Sequence, residues 1–384
     1  MVKKAQHFLI APDSFKGSLS AIEFCEIAKR EISQSVPEAT IWSFPLSDGG
    51  EGFIDSIVYA GLAVPISVST LDPLHRPIQS QFAWDAQNRT AYIEMAQASG
   101  LTLLSPNERN PLQTSSYGTG LIIQQALNQG VQKIVIGLGG SATNDGGAGA
   151  LQALDIPFYD QSGHVIDFRQ TGAMGLAQLA RIGSVPEPLK SIEWRLAADV
   201  TNPILGENGA TAVFSPQKGA TEAQMQQLEA GLAHFAEKMA QAFDTSIANR
   251  PGAGAAGGFA GGFIGILQAH LQPGFELLKE ALKLPQLLQD QSIDYVITGE
   301  GKIDAQTLMG KLPYRLAEWV KSQQQHAPYC VGLCGRLEVE QLPYFDGLHS
   351  IHSNEMQPAD WDMLVAQTPN HLSQTLRQLL NSWV

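Results

Sequence analysis

Two stretches at opposite ends of the chain repeat the same order of elements, and this repetition constrains the fold most. Near the N-terminus, apolar residues 8–11 precede a loop and a helix that opens with a Ser20–Glu23 capping box. Residues 40–46 form a second strand candidate, again followed by a loop and a helix. The order returns at 294–298 and continues to about residue 380. Such alternation is typical of a parallel α/β sheet.

The middle of the chain has a different order of predicted elements. Residues 64–70, 78–85 and 90–95 are strand-like, and the turns between them are too short for crossover helices, which predicts antiparallel pairing. We therefore predict an α/β protein. A Rossmann-like parallel-sheet domain (1–66 plus 290–384) is split by an inserted second α/β domain (67–289) with a mixed or antiparallel sheet. We expect the active site in the cleft between them.

Three segments of the insertion have their own interpretations. Residues 211–214 are a further strand candidate, and residues 221–243 are predicted to form a long helix. The glycine-rich block 251–265 would be a poor isolated helix, and a packing segment is favoured over direct ligand contact.

Charge and cysteine content exclude several classes. Lys and Arg total 24 against 37 Asp and Glu, a net charge of −13, so the chain lacks the basic footprint of a nucleic-acid binder. It has no polybasic tract for an anionic membrane and no apolar window near the ~18 residues of a membrane helix. Three cysteines cannot form a disulfide framework. We expect a cytoplasmic protein.

Acids and lysines recur in the loops after the predicted strands, where ligands bind in open α/β sheets. They are Asp13, Ser14 and Lys16 after the first strand, Asp48 and Glu51 after the second, and Glu300, Lys302 and Asp304 after residue 298. An acid beside glycines can hold Mg²⁺, and a lysine can neutralise a phosphate. The same residues are also common turn formers and helix caps, so both interpretations stay open.

A second glycine-rich segment follows the strand candidate at 133–136. GLGGSA at 137–142 matches G-x-G-x-x-A, whose backbone N–H groups can bind phosphate oxygens. Its position inside the insertion speaks against a dinucleotide fold, and a tight turn is the alternative. The hydroxyls of Ser141 and Thr143 favour phosphate binding. No Walker A motif is present, because Gly301-Lys302 and Gly310-Lys311 lack the earlier glycine and the following Ser or Thr.

Several strings, in one order over about residues 8–335, resemble the type I glycerate kinases. They are APDSFKG at 11–17, PLSDGGEG at 45–52, DPLHRP at 72–77, IEMA at 93–96, YGTG at 117–120, the run 137–149, DVTNP at 199–203, PQKG at 216–219, the run 251–258, and ITGEGKID at 297–304 with Gln306-Thr307. The resemblance implies ATP- and Mg²⁺-dependent phosphorylation of D-glycerate with release of ADP, 2-phosphoglycerate being favoured over 3-phosphoglycerate. His75 stands where Gly is expected, Lys302 stands where Arg is usual, and the match is poor beyond Arg336.

With glycerate as substrate, residue type and loop position suggest roles. Lys16, Arg76 and Lys302 form the cationic set, and Arg76 is expected to bind the glycerate carboxylate through its bidentate fork. Asp13, Ser14 and Lys302 are expected to contact substrate. Asp199 or Asp304 accepts the hydroxyl proton, with Lys16 as a further catalytic residue. Asp48 and Glu300 are the magnesium candidates. The residues expected to contact the triphosphate are Gly139, Gly140, Ser141, Thr143, Asn144 and Asp145.

Other functions remain as alternatives. A kinase for another small hydroxy acid or polyol is one, since GLGGSA is also similar to the phosphate loop of galactokinase- and homoserine-kinase-like enzymes. A non-catalytic regulator that binds a sugar acid is another, although Asp48, Asp199, Glu300 and Asp304 are all present. The expected partners are glycerate and ATP, with no nucleic acid and no membrane, and a homodimer is kept open.

Overall fold

The computed structural model describes residues 6–15, 17–323, 327–352 and 361–383. In chain order, the strands are β1 (His7–Ile10), β2 (Thr40–Ser43), β3 (Val64–Leu71), β4 (Pro77–Asp85), β5 (Thr90–Glu94), β6 (Lys133–Gly137), β7 (Phe158–Tyr159), β8 (Arg181–Ile182), β9 (Glu193–Ala197), β10 (His270–Gln272), β11 (Tyr295–Ile303), β12 (Tyr329–Leu337) and β13 (Gly347–Ser350). The α-helices are α1 (Ala21–Ser35), α2 (Phe53–Tyr59), α3 (Ala96–Ser99), α4 (Tyr117–Leu127), α5 (Ala148–Ala153), α6 (Phe168–Thr171), α7 (Glu187–Lys190), α8 (Ala210–Phe214), α9 (Glu222–Phe243), α10 (Phe259–Leu267), α11 (Gly274–Ala281), α12 (Leu284–Asp290), α13 (Leu312–Gln323) and α14 (Trp361–Trp383).

The chain divides into two units. The first unit comprises Met1–Asp48, Asp55–Leu62 and Phe275–Val384, and its sheet has the order β13-β12-β11-β1-β2 with every pair parallel. The predicted Rossmann-like sheet is confirmed. Helices α1 and α14 pack together against apolar side chains of β1, β11 and β12. All five strands end at one edge, so the loops after them meet there.

A buried carboxylate joins α1 to the C-terminal helix of the first unit. Glu31 in α1 is 1% exposed and accepts hydrogen bonds from Ser373 Oγ at 2.7 Å and Arg377 Nε at 2.6 Å. The Arg377 contact, with those of Ser373 and Arg30, lowers the pKa of Glu31 to about 2 despite its burial. The charge is therefore paired rather than isolated, as burial requires.

The second unit comprises Gly49–Ile54 and Ala63–Gly274. Its sheet has the order β10-β9-β6-β5-β4-β3, in which β3, β4 and β5 pair antiparallel while β5, β6, β9 and β10 run parallel. The predicted mixed sheet and its antiparallel part are both confirmed. Because β3 runs parallel to β5, the turn after β3 lies at the same sheet edge as the loops after β5, β6 and β9.

Some elements differ from their predictions. Residues 211–214 lie in α8 rather than in a strand, because Gly209 opens a helical turn in which Val213 N donates to Gly209 O at 3.1 Å, and Ser215 N then donates to Thr211 O at 3.1 Å. The predicted loop 299–304 mostly belongs to β11, which continues to Ile303 because β12 pairs with it along its whole length. Helices α11 and α12 are separated at Lys283, which has a φ of 53°. The predicted domain boundaries stay a prediction.

The glycine-rich block 251–265 has a packing role. Its second half belongs to α10, and every residue of α10 is buried in the core of the second unit. Glycine is required at Gly254 and Gly257, where a Cβ would clash with the backbone carbonyls of Pro203 and Thr143. Among the described helices, none combines the length and apolar character that crossing a bilayer needs.

Candidate active site

Long parallel pairing places charged side chains at the strand-end edge of the first unit. Lys302 in β11 lies opposite Arg336 in β12. Glu300 and Lys302 are two residues apart in the strand, so their side chains share one face, and Asp304 follows directly after the strand. All three predicted residues are thereby brought together.

One lysine connects the two acids. Lys311 Nζ lies 3.1 Å from Glu300 Oε2 and 3.4 Å from Asp304 Oδ1, and it also donates to the Lys302 carbonyl at 3.1 Å. Thr307 Oγ1 donates to Glu300 Oε1 at 3.0 Å. Burial raises the pKa of Glu300, and Lys311 and Thr307 oppose that rise by favouring the carboxylate.

Lys302 continues this network toward solvent. Its Nζ lies 3.1 Å from Asp304 Oδ2 and 2.9 Å from Glu338 Oε2, and these contacts raise the pKa of Lys302. Lys302 therefore carries a positive charge at neutral pH. Within the described residues, no group of three or more His, Cys, Asp or Glu side chains is arranged to hold a metal ion.

The remaining first-unit candidates lie in the loops after β1 and β2. The Asp13 N–H donates to Gly299 O at 2.8 Å, which ties this loop to β11, and Asp13 Oδ1 accepts from Ser14 N at 2.7 Å. Asp48 is exposed. Lys16 lies outside the described residues.

In the second unit, the turn between β3 and β4 carries Arg76. Asp72 Oδ1 accepts from the backbone N–H groups of Leu74 and Arg76, both at 2.9 Å. His75 has a φ of 66°, in the left-handed region that favours glycine. This geometry accounts for the glycine expected at this position. Both ring nitrogens of His75 are buried and have no hydrogen-bond partner within the part of the chain that the structure describes, and burial lowers the pKa of His75.

The Arg76 guanidinium is held by acceptors on three sides. Its Nε donates to Asp72, its Nη1 donates to Glu108 Oε1 at 2.6 Å, and its Nη2 donates to Leu103 O at 3.2 Å. The side chain is nevertheless 48% exposed. Arg76 is thus fixed in place and still accessible to an anion.

The glycine loop (residues 137–145) follows β6 and approaches a second glycine-rich loop. Gly139 N donates to Gly49 O at 3.1 Å, and a Cβ on Gly139 would lie 3.0 Å from Gly50 N and clash with its Cα. A Cβ on Gly137 would lie 2.5 Å from Gly49 O. Gly137 and Gly139 therefore permit a backbone-to-backbone contact that a side chain at either position would prevent.

The glycine loop ends on a fully buried carboxylate. Asp145 Oδ2 accepts from Ser116 N and Ser116 Oγ, both at 2.8 Å, and from Gly149 N at 3.3 Å. Asp145 Oδ1 accepts from Gly147 N at 3.2 Å. Burial raises the pKa of Asp145, while these hydrogen bonds oppose the rise. In this structure Asp145 supports the start of α4 and α5 from inside the unit.

Three peptide groups of the glycine loop share one arrangement. The carbonyls of Gly140, Ala142 and Thr143 accept from Leu101 N at 2.8 Å, Thr114 Oγ1 at 2.9 Å and Lys218 Nζ at 2.7 Å, respectively. In a trans peptide the next N–H points the opposite way. Those N–H groups belong to Ser141, Thr143 and Asn144, and none has an acceptor in the described part of the chain.

Side-chain atoms of the same loop also lack partners among the described residues. Thr143 Oγ1 and Asn144 Oδ1 are buried and have no hydrogen-bond partner there, whereas Asn144 Nδ2 donates to Thr211 Oγ1 at 3.3 Å. Gly140 is exposed and Ser141 is 8% exposed, while Thr143 and Asn144 are fully buried. Unpaired buried polar groups are rare in folded proteins, and their concentration here indicates a binding loop.

Asp199 is exposed and follows β9 by two residues, at the same sheet edge as the glycine loop. Sequence reasoning missed four contributors: Thr114, Lys218, Thr307 and Lys311. A signal exists for three of them. Lys218 lies in the PQKG string, Thr307 lies in the Gln306-Thr307 pair of the same resemblance, and Lys311 lies in a Gly-Lys pair that sequence reasoning treats only as a Walker A candidate. The predicted cationic set is divided, with Lys302 in the first unit and Arg76 in the second.

Comparison with known proteins decides the family. The model of the glycerate kinase family matches residues 8–384. The chain belongs to the glycerate kinase family. As a member of that family it is an enzyme, a kinase.

Individual glycerate kinases are similar along most of their length. The glycerate kinase of Halalkalibacterium halodurans is 38% identical over 380 residues, covering 98% of each chain. The glycerate 2-kinase of Escherichia coli K12 is 40% identical over 329 residues, covering 86% of this chain and 85% of its own. A crystal structure assigned to glycerate kinase 2 of Salmonella typhimurium LT2 superposes with a TM-score of 0.86 at 36% identity, covering 99% and 98% of the two chains.

Proposed function

We propose that this glycerate kinase family member transfers the γ-phosphoryl group of ATP to D-glycerate, forming 2-phosphoglycerate and ADP. The observation that carries the proposal is the set of unpaired N–H groups in the glycine loop, at Ser141, Thr143 and Asn144. Amides that lack protein acceptors are suited to the oxygens of a triphosphate. The 2-position is favoured because the E. coli relative is named a glycerate 2-kinase.

Glycerate needs a cation for its carboxylate and an acceptor for its hydroxyl proton. A guanidinium has five N–H donors. Three of those of Arg76 go to Asp72, Glu108 and Leu103, which leaves donors for a bound carboxylate. The further substrate contacts of the proposal are Lys302, Asp13 and Ser14, and Lys16 is proposed as a catalytic residue.

Asp199 is the preferred proton acceptor. Asp304 was the other candidate, but its two carboxylate oxygens lie 3.1 and 3.4 Å from the ammonium groups of Lys302 and Lys311, which neutralise its charge. The exposed Asp199 carries its carboxylate beyond the end of β9. In the proposed reaction Asp199 accepts the 2-hydroxyl proton as the oxygen attacks the γ-phosphorus.

Magnesium fits the donor chemistry of the first-unit edge. The carboxylates of Glu300 and Asp304 already share the cation of Lys311, and Mg²⁺ requires only one or two carboxylates besides phosphate and water oxygens. Asp48 and Glu300 are the proposed ligands. The bound ion would supply neutralisation of phosphate charge.

A coupled ADP-release assay with ATP, Mg²⁺ and D-glycerate tests the activity, and phosphorus NMR identifies the product. ADP release that requires glycerate supports the proposal, and a 2-phosphoglycerate signal supports the regiochemistry. Folded protein that releases no ADP with glycerate, but does so with another hydroxy acid or polyol, would overturn the substrate assignment.

The Asp199→Asn variant tests the proton acceptor. We expect kcat to fall by about 100-fold or more. Asp244→Asn is the matched control, because Asp244 is an exposed residue after α9 in a left-handed conformation that Asn tolerates. If Asp199→Asn retained the kcat of this control, the role of Asp199 would be refuted.

A further inference from the structure

A fully buried lysine contacts the glycine loop from inside the second unit. Lys218 ends a short 3₁₀ helix, Pro216–Lys218, and is 2% exposed. Its Nζ donates to Thr143 O at 2.7 Å, and this is its hydrogen bond in the described part of the chain. Burying an ammonium group is costly. The one hydrogen bond that the Lys218 ammonium group makes within the described residues is to the glycine loop.

We propose that Lys218 and Thr114 are positioning residues for the phosphate-binding loop, and this inference rests on the function proposed above. Each donates to one of two consecutive carbonyls, Lys218 to that of Thr143 and Thr114 to that of Ala142. Since each peptide is trans, fixing the two carbonyls inward turns the N–H groups of Asn144 and Thr143 away from these donors. The two residues thereby set the direction of these two amides.

The surroundings of Lys218 support a role in the site. Burial lowers the pKa of Lys218 to about 7, and the carboxylate of Asp145, two residues beyond Thr143, opposes that shift. Both the ammonium and the neutral amine can donate a hydrogen bond, so the contact with Thr143 survives in either form. Gly219, the next residue, has a φ of 92° and no space for a Cβ beside the Arg109 backbone, which fixes the chain after Lys218.

The test is a comparison of ATP and glycerate kinetics in two variants. Lys218→Met keeps an unbranched side chain, one atom shorter, and removes the donor, and we expect KM for ATP to rise about tenfold. Thr114→Val removes only a hydroxyl, and we expect a rise of about fivefold. KM for glycerate should stay within twofold in both. A role confined to stability would lower the melting temperature without separating the two KM values.

Thr70→Val is the matched control for Thr114→Val. Thr70 is buried in the same unit and its Oγ1 donates to Gly118 O at 2.6 Å, a comparable hydroxyl-to-carbonyl bond outside the glycine loop. We expect the control to leave KM for ATP unchanged. If Lys218→Met does not fold, Thr114→Val against Thr70→Val decides: equal KM values for ATP in these two would overturn the proposal.

Binding of Mg²⁺-ADP by calorimetry separates the two hypotheses. Wild-type protein that neither binds the nucleotide nor releases ADP refutes the proposed function itself. Wild-type protein that binds it, with a Kd that folded Lys218→Met and Thr114→Val share within twofold, refutes only the positioning role. A weaker Kd in both variants, with glycerate binding retained, supports that role.

Discussion

The two sheet edges present opposite kinds of chemistry. At the first-unit edge, the charged side chains satisfy one another, with Lys311 between Glu300 and Asp304 and Lys302 between Asp304 and Glu338. At the second-unit edge, backbone N–H groups of the glycine loop have no acceptor in the described residues. A ligand at the first edge must therefore replace existing ion pairs, whereas a ligand at the second supplies missing partners.

The two edges also differ in rigidity. Side chains at the first edge can change partners, because Lys302 is 45% and Lys311 32% exposed. The peptide groups of the glycine loop are less free to reorient, because Leu101, Thr114 and Lys218 donate hydrogen bonds to their carbonyls. Preorganised backbone donors keep their alignment as charge develops on a transferring group.

The largest expected effect compares Asp145, a buried carboxylate of the second unit that accepts from N–H groups, with Asp304, a carboxylate of the first unit that is paired with two lysines. Asp145→Asn places an amide donor against N–H groups, and we expect the free energy of unfolding to fall by about 3 kcal/mol or more. Asp304→Asn, facing flexible lysines, should cost about 1 kcal/mol. Denaturant unfolding measures both.

Asp155→Asn is the control for Asp145→Asn. Asp155 follows the other end of α5, is exposed and has a φ of 61°, which Asn tolerates. A change within about 0.5 kcal/mol is expected there. Similar losses in all three variants would erase the contrast between the two edges.

The next effect tests the close approach of the glycine loops. Gly139→Ala forces the loop away from Gly50, and we expect kcat/KM for ATP to fall by about 100-fold, since small displacements of a positioned substrate are costly. Gly231→Ala in α9 is the control, because its Cβ would meet Leu176 Cβ at an ordinary 3.5 Å. That variant should be stabilised by up to about 1 kcal/mol. Steady-state kinetics and thermal melting measure the two effects. A Gly139→Ala variant that keeps the wild-type kcat/KM for ATP would show that the loop tolerates alanine at this position.

A pH profile sharpens the comparison at the first edge. Burial raises the pKa of Glu300, and Lys311 is the main opposing influence. In Lys311→Met the pKa of Glu300 should rise further, so activity that needs the carboxylate should be lost at a higher pH as the solution is acidified. The acid limb of kcat against pH therefore moves upward. A limb that stays in place, or moves downward, would show that Glu300 is not used as a carboxylate.

Lys321→Met serves as the reference for that experiment. Lys321 forms a 2.7 Å ion pair with Asp346 in the same unit, far in sequence from Glu300. Its loss should leave the acid limb of the profile unchanged.

The smallest effect concerns the departure at Lys302. Lys302→Ala should raise KM by about tenfold, and Lys302→Arg should recover most of that loss, because a guanidinium can contact Asp304 and Glu338 together. The measurement is KM for ATP and for glycerate separately. Equal KM values for the alanine and arginine variants would mean that the charge at 302 has no part in binding.

Much of the fold followed from local patterns. The capping box at Ser20, the long helix that follows Thr221, the antiparallel run from β3 to β5 and the parallel strands of the first unit are all as predicted. The two misses have different causes. Residues 299–303 took their structure from pairing with β12, which lies outside any local window. Residues 211–214 took theirs from a helical turn that opens at Gly209, only two residues earlier.

The site was predictable in position more than in contacts. Because strands of a parallel sheet end at one edge, the sequence could bring Glu300, Lys302 and Asp304 together. It could not assign Lys311 to them, since that contact depends on how the 3₁₀ turn Ala305–Met309 folds back. The sequence also could not show that the Asp145 carboxylate is fully buried against Ser116, Gly147 and Gly149, and the contact of Asp145 with phosphate stays a prediction.

Residue types at fixed spacing were enough to predict most of the order of elements, the glycine-rich loops and the family. Which polar groups are paired became clear only from the three-dimensional fold. Lys218 reaches Thr143 across 75 residues, and Thr114 reaches Ala142 across 28. Hydrogen bonds form over about 3 Å in space, and chain separation carries no record of that distance.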